Sequence, residues 1–310
     1  MRSFLPGIPV GRLGRKQSCR RIRDRADGYC RGSLIIFTET TPLALIGIGN
    51  MGKALARGWC TSALSPEALV VLDRHPEKRA AFYDAVSCRF VTSQAALLET
   101  TPAAICFAVK PHQLVEVLGE IKSGFAAAGP LVLSVIAGKG IADYEAALWP
   151  GTAVIRLMPN TPSAIGEGMT GCFANAHVSA SQRDAADQLM CSVGQTLWLK
   201  DEAQMHALTA ISGSGPAYVF YLMECLVDAA VKQGFDADEA RLLAEQTFIG
   251  AAQMAGQSDV SLDALRAQVT SPGGTTEAGL DVLMTSTIGR ILEDTVGAAK
   301  RRSETLMSPD

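Results

Sequence analysis

Short apolar runs alternate with amphipathic stretches from Pro42 to about Lys200. Residues 43–48, 69–72, 104–109, 131–137, 153–158 and 196–199 are nearly unbroken apolar runs of strand length. Between them, 51–63, 77–86, 113–121, 141–148 and 182–193 carry apolar residues at helical spacing, which predicts helices. Strictly alternating elements of this kind predict a doubly wound, mainly parallel sheet with helices on both faces. Strands covered on both faces lose the polar positions that a half-exposed strand would show. After Lys200 the strand pattern stops, and 218–233, 237–254, 262–269, 275–284 and 288–301 are all helical in period. Gly234 and Gly256 stand where C-caps belong, with Asp236 and Ser261 placed as N-caps. The expected order is therefore an α/β domain over 42–200 and an all-helical domain over 201–310. The first long helix, Y-V-F-Y-L-M-E-C-L-V-D-A-A-V from Tyr218, is apolar around most of its circumference. It lacks the polar face of a surface helix, so it is buried either against a second subunit or inside the monomer.

Composition narrows the class. A chain of 310 residues exceeds the usual single domain, and 48% hydrophobic against 19% charged residues implies a large core. The net charge of -3 supplies no basic field for nucleic acid. No apolar run approaches the ~20 residues that span a bilayer. The eight cysteines are scattered singly and the four histidines do not cluster with them, so neither zinc nor a dithiol redox motif is indicated. Cys106 lies within an apolar run and is expected to be a small core residue. A reducing, cytoplasmic setting is expected. The segment 1–41 is different: it is rich in arginine, poor in acids and broken by Pro and Gly. Two readings fit it, a mitochondrial transit peptide or a non-functional extension translated from upstream of the true start. Either way it is expected to be poorly ordered and outside the fold.

Candidate chemistry begins at Gly47-Ile48-Gly49-Asn50-Met51-Gly52, which follows an apolar run and opens a helix. That context turns G-x-G-x-x-G into a dinucleotide-binding, Rossmann-type signature. Gly47 permits the tight turn, Gly49 lets backbone approach a pyrophosphate, and Gly52 lets the helix pack close to the strand. Asp73 ends the second run, at the distance where an acidic residue binds the ribose 2′-hydroxyl of NAD; the alternative is a cap for the next helix. Arg74 and His75 follow it, and a cation there favours the 2′-phosphate of NADP. NADP is the preferred cofactor, with NAD the alternative. Val109-Lys110-Pro111 ends another strand, where doubly wound sheets place ligands. Lys110 is either a charge beside the nicotinamide or a solvated residue before a proline-started helix.

Ser271-Pro272-Gly273-Gly274-Thr275-Thr276 contains no strong acid or base. Its hydroxyls, flexible backbone and helix N-terminus are the parts of a carboxylate cradle, although a capped helix start needs the same residues. The Thr276 hydroxyl could hold an imine nitrogen. Ser212-Gly213-Ser214-Gly215-Pro216 is read as a loop with Pro near the helix N1 position, the alternative being a wall of the substrate cleft.

Taken together, G-I-G-N-M-G, F-A-V-K-P at 107–111, R-L-M-P-N-T-P at 156–162, S-G-S-G-P-A-Y at 212–218 and V-T-S-P-G-G-T-T-E-A-G-L at 269–280 closely resemble pyrroline-5-carboxylate reductases. The resemblance spans about 43–305 and leaves the basic head unmatched. It implies a Rossmann-type domain and a helical dimerisation domain that interlocks between subunits as a homo-oligomer. The implied reaction is reduction of the C=N bond of 1-pyrroline-5-carboxylate by NAD(P)H, giving L-proline. Carried over by position, Val269, Ser271, Gly274 and Thr275 surround the substrate carboxylate, and Thr276 meets the ring nitrogen. Ile46, Gly47, Ile48, Gly49, Asn50, Met51, His75, Gln94, Val109 and Lys110 fall at cofactor positions. Such chemistry needs positioning more than acid–base groups, and no metal. Two rivals remain open. The first is another NAD(P)-dependent oxidoreductase, such as an imine reductase of different substrate or a β-hydroxyacid dehydrogenase. The latter needs a lysine in the helical domain, and Lys232, beside the Gly234 helix stop, is the only one between 201 and 299. The second rival is a non-catalytic dinucleotide-binding protein.

Overall fold

A computed structural model describes residues 37–75, 87–124 and 129–307. Residues 1–36 of the basic head and the predicted helix 77–86 lie outside the described residues. Ahead of the first strand, Phe37 is buried against the sheet, and Thr38 closes a turn with Thr41.

The described residues form one eight-stranded sheet in the order β3-β2-β1-β4-β5-β6-β7-β8. The strands are β1 (Leu43–Ile46), β2 (Leu69–Leu72), β3 (Arg89–Val91), β4 (Ala104–Phe107), β5 (Leu131–Ser134), β6 (Val154–Met158), β7 (Gly168–Ala174) and β8 (Gly194–Trp198). Pairing is parallel throughout except between β6 and β7. The sheet is thus mainly parallel as expected, with two strands, β3 and β7, that the apolar pattern does not reveal. Between these strands the helices are α1 (Asn50–Ser62), α2 (Gln94–Leu98), α3 (Leu114–Gly124), α4 (Ile141–Ala147) and α5 (Ala180–Cys191).

Alternation along each strand splits the core into two layers. Leu43, Leu45, Leu69, Val71, Leu131 and Leu133 face one side, where Leu55 and Trp59 of α1 and Leu189 of α5 cover them. Ala44, Ile46, Val70, Leu72, Ile105 and Phe107 face the other, under Leu114, Leu118 and Ile121 of α3 and Tyr144 of α4. Trp59 is fully buried; truncating such a residue costs about 3–5 kcal/mol. Cys106 is buried too, and burial pushes its thiol up to about 12, so it is a core residue and no nucleophile.

Helices alone follow: α6 (Gln204–Leu208), a π-helical turn at Thr209–Gly213, α7 (Gly215–Lys232), α8 (Ala237–Gln257), α9 (Leu262–Gln268), α10 (Thr275–Thr285) and α11 (Ile288–Met307). Asp236 caps α8 by accepting from the Glu239 N–H at 2.9 Å, and the Glu239 carboxylate returns the bond to the Asp236 N–H. Gly234 takes a φ of 102° just past α7, as a C′ glycine should. Gly256 is different: α8 runs through it and ends at Gln257, so it is no cap. Ser261 stands at the N-cap of α9 without a side-chain capping bond. The loop expected over 212–216 is corrected: Ser212 and Gly213 belong to the π-helical turn and Gly215 and Pro216 to α7, with Pro at the helix start as expected.

Burial of α7 inside the monomer is overturned: none of its residues is buried in the single chain, and Phe220 and Tyr221 are 59% and 66% exposed. Leu242 of α8 and Val282 and Met284 of α10 are equally uncovered. Helix α11 returns to the sheet side of this domain, where His206 Nδ1 and Ser303 Oγ lie 3.0 Å apart. Among the described residues no helix is long and apolar enough to cross a membrane.

Candidate active site

Register places the site. Ile46, Leu72 and Phe107 are paired neighbours on β1, β2 and β4, so the chain leaves all three strands at the same level. The strand order reverses between β2-β1 and β1-β4, and a crevice opens at such a switch point. Gly47, Asp73 and Ala108 therefore come together although 61 residues separate the first from the last.

Gly47 adopts a φ of 97°, and a side chain there would press on the Ala108 carbonyl. A Cβ on Gly52 would collide with the Gly47 carbonyl oxygen, so the first turn of α1 can approach β1 only as glycine. Gly49 is the N-cap residue of α1, offers no side-chain cap and has open space on its Cβ side. The first-turn N–H groups of α1 have no acceptor within the helix, and an unpaired helix start of this kind can receive phosphate. The Ile48 side chain is buried in the core, so only its backbone belongs to the turn.

Asp73 is 7% exposed, and both carboxylate oxygens accept backbone N–H groups. Oδ2 takes the Ile48 N–H at 3.1 Å and Oδ1 the His75 N–H at 2.9 Å. Its carboxylate ties the glycine turn to the end of β2. Arg74 points across the crevice to α3, with Nη1 2.9 Å from Glu116 and Nη2 3.2 Å from Glu120. The hydrogen bond to Glu116 raises the guanidinium pKa further, so it stays charged. A cavity of about 340 Å3 gathers Ile46, Gly47, Gly49, Asp73, Arg74, His75, Gln94, Val109 and Lys110, all expected cofactor residues. Its volume lies within the range of small-molecule sites. Asn50, Met51, Ile48 and Gly52 form the turn behind it without lining it. The cavity also takes in His112, Gln113 and Glu116, which the sequence did not single out. Their place one turn after Lys110-Pro111 was the available signal.

A second cavity of about 550 Å3 shares Pro111 and His112 with Lys139, Arg156, His206 and the end of α11; His112 lines both cavities. Arg156 on β6 is buried, and its Nη1 lies 2.6 Å from Glu202 Oε1, which also accepts the Ile141 N–H at 2.8 Å. One carboxylate thus joins β6, the start of α4 and the first residues of the helical segment. Asn160 is a similar tie, donating to the Ser212 carbonyl and accepting the Met169 N–H. The motif R-L-M-P-N-T-P therefore supplies joints. Tyr144, hydrogen-bonded to Ser134, is held well above its usual pKa by burial and stays neutral.

The proposed substrate residues lie elsewhere on the chain. Helix α10 begins at Thr275 with Gly274 as N-cap, leaving the Thr275 and Thr276 N–H groups without acceptors in the helix. Gly273 takes a φ of 69°, and its N–H donates to the Glu277 carboxylate at 2.6 Å. Val269, Ser271, Thr275 and Thr276 are exposed, and none of residues 269–276 lines either cavity.

Comparison with known proteins completes the description. A family model described as pyrroline-5-carboxylate reductase dimerisation matches residues 202–306, and one described as NADP oxidoreductase coenzyme F420-dependent matches 42–138. The pyrroline-5-carboxylate reductase of Pseudomonas aeruginosa is 38% identical over 268 residues, covering 86% of this chain and 97% of that one. The solved pyrroline-5-carboxylate reductase of Coxiella burnetii aligns with a TM-score of 0.82 at 35% identity, over 87% of this chain and 100% of its own. A Plasmodium falciparum pyrroline carboxylate reductase with NADP bound aligns with a TM-score of 0.75 at 29% identity, again over 87% and 100%.

Proposed function

The chain belongs to the pyrroline-5-carboxylate reductase family, and on that premise we propose how its residues divide the reduction of 1-pyrroline-5-carboxylate to L-proline. The observation that carries the division is the crevice at the β1/β4 switch point, floored by the Gly47–Gly52 turn. NADPH, when bound, supplies the hydride for the imine carbon. The chain holds it there: backbone N–H groups from Gly49 to Met51 receive the pyrophosphate. Arg74 and His75 flank the ribose with its 2′-phosphate, and Gln94, Val109 and Lys110 wall the crevice. Asp73 acts through the turn it ties down, because its carboxylate is already held by two backbone donors. The Arg74 guanidinium in the cavity wall supports an NADP-type cofactor.

The substrate carboxylate is received by Val269, Ser271, Gly274 and Thr275, with the Thr276 hydroxyl at the ring nitrogen. A pyrrolinium ion is already electrophilic, so these neutral groups need only hold the ring in line. We place the boundary between the cofactor half, 42–200, and the substrate half, 201–310, near Glu202. Because residues 269–276 line neither cavity and α7, α8 and α10 carry uncovered apolar faces, the cradle of one copy serves the crevice of another. Homo-oligomerisation then completes the site. The cytoplasm is the setting we assign, consistent with the six described cysteines being free thiols; a mitochondrial one holds if the head is a transit peptide.

The test is NADPH oxidation with pyrroline-5-carboxylate against a panel of 2-keto and 3-hydroxy acids. Proline formed in step with NADPH consumed is the expected result; turnover of the acids alone overturns the reading.

A further inference from the structure

Three charged side chains meet at the edge of the cofactor crevice, and two of them carry the wrong sign for a phosphate. Arg74, at the end of β2, forks onto Glu116 at 2.9 Å and Glu120 at 3.2 Å. The two glutamates stand four residues apart on α3, on one face. Arg74 and Glu116 both line the cavity. We propose that Glu116, seconded by Glu120, sets how strongly this protein prefers a 2′-phosphorylated dinucleotide, by occupying Arg74 and by repelling the phosphate. The inference rests on the NADP reading above and deepens it.

Two opposed effects decide the sign. A carboxylate partner could order Arg74 for its phosphate, or compete with that phosphate. The side chains of Arg74, Glu116 and Glu120 are 50%, 58% and 40% exposed, and ion pairs so exposed order their partners only weakly. Repulsion between a carboxylate in the cavity wall and an incoming dianion is screened by the same solvent, but unlike the ordering of Arg74 it costs no side-chain entropy. Competition wins. A 2′-phosphate must take Arg74 from Glu116, and a dinucleotide lacking that phosphate pays no such penalty. Glu116 thus narrows the gap between the two cofactors that Arg74 opens, and Arg74 alone is an incomplete account of the choice.

The test uses the full chain without cofactor and two probes, adenosine 2′,5′-bisphosphate and adenosine 5′-monophosphate, with binding read by calorimetry. Glu116→Gln keeps the shape of an exposed side chain and removes its charge. It should tighten the bisphosphate about two- to five-fold and leave the monophosphate unmoved. Arg74→Ala should weaken the bisphosphate, and adding Glu116→Gln to it should recover only part of the gain seen in the parent. Steady-state KM values for NADPH and NADH should move in the same directions. An unchanged or weaker bisphosphate affinity in Glu116→Gln overturns the proposal, as does an equal shift for both probes. Wild-type preference between the probes tests the NADP reading separately. A wild type indifferent to the 2′-phosphate, with a Glu116→Gln variant that prefers it, would support the role of Glu116 while revising that reading. Indifference in both proteins would overturn both.

Discussion

Asp73 shows how one residue type admits two roles that only its neighbours separate. At the end of β2 an acid suggests a ribose ligand; buried beneath the glycine turn, it is an acceptor for the Ile48 and His75 N–H groups. Asp73→Ala should therefore raise the dissociation constants of NADH and NADPH alike, measured by nucleotide fluorescence. It should also lower stability by about 1–3 kcal/mol, the cost of orphaning a buried donor. A selective loss of NADH binding would return Asp73 to the ribose. Gly49 permits a sharper probe, because nothing obstructs a Cβ there and its φ of -64° suits any residue. Gly49→Asp should fold with an unchanged circular dichroism spectrum, since Asp is a good N-cap, yet bind no NADPH because its carboxylate faces the pyrophosphate. At the other end, Thr276→Ala should lower kcat while NADPH affinity is preserved; unchanged turnover would remove Thr276 from the site. Glycines, hydroxyls and their spacing were legible in the sequence because they are local. The approach of Glu116 to Arg74, 42 residues apart, was not, because it depends on which strands pair.

At the scale of elements, apolar runs identified β1, β2, β4, β5 and β6 because both sheet faces are covered there, and also β8, an edge strand that is only partly covered. Strand β7 escaped: Gly168, Thr170 and Gly171 interrupt its period, and its antiparallel pairing with β6 departs from the alternating scheme. Strand β3 spans only Arg89–Val91, too short for a pattern. The C-cap expected at Gly256 failed for a related reason: glycine marks a helix end only when the chain must turn, and α8 continues to Gln257 before doing so. The joint between sheet and helices is testable directly. Glu202→Ala leaves the 9%-exposed Arg156 side chain without its carboxylate and the Ile141 N–H without an acceptor. A loss of about 3 kcal/mol is expected from urea denaturation; an unchanged midpoint would mean that the pair contributes nothing at this joint.

For the whole molecule the informative feature is what the single chain leaves uncovered. Apolar residues on α7, α8 and α10 stand in solvent, among them Phe220, Tyr221, Leu242 and Met284, and patches of that kind mark interfaces. The composition of α7 predicts a covered helix, yet the single chain leaves it exposed; in the proposed assembly the covering surface is that of another copy. The same separation applies to the proposed site: the residues assigned to cofactor and those assigned to substrate share no cavity within one copy. Subunit mixing tests that arrangement most directly. Gly49→Asp protein, with an intact cradle, and Thr276→Ala protein, with an intact crevice, are unfolded together, refolded as mixed oligomers and assayed for proline formation. If crevice and cradle come from different copies, mixed oligomers contain wild-type sites and exceed the activity of either parent. Mixed oligomers no more active than their parents would contradict the account.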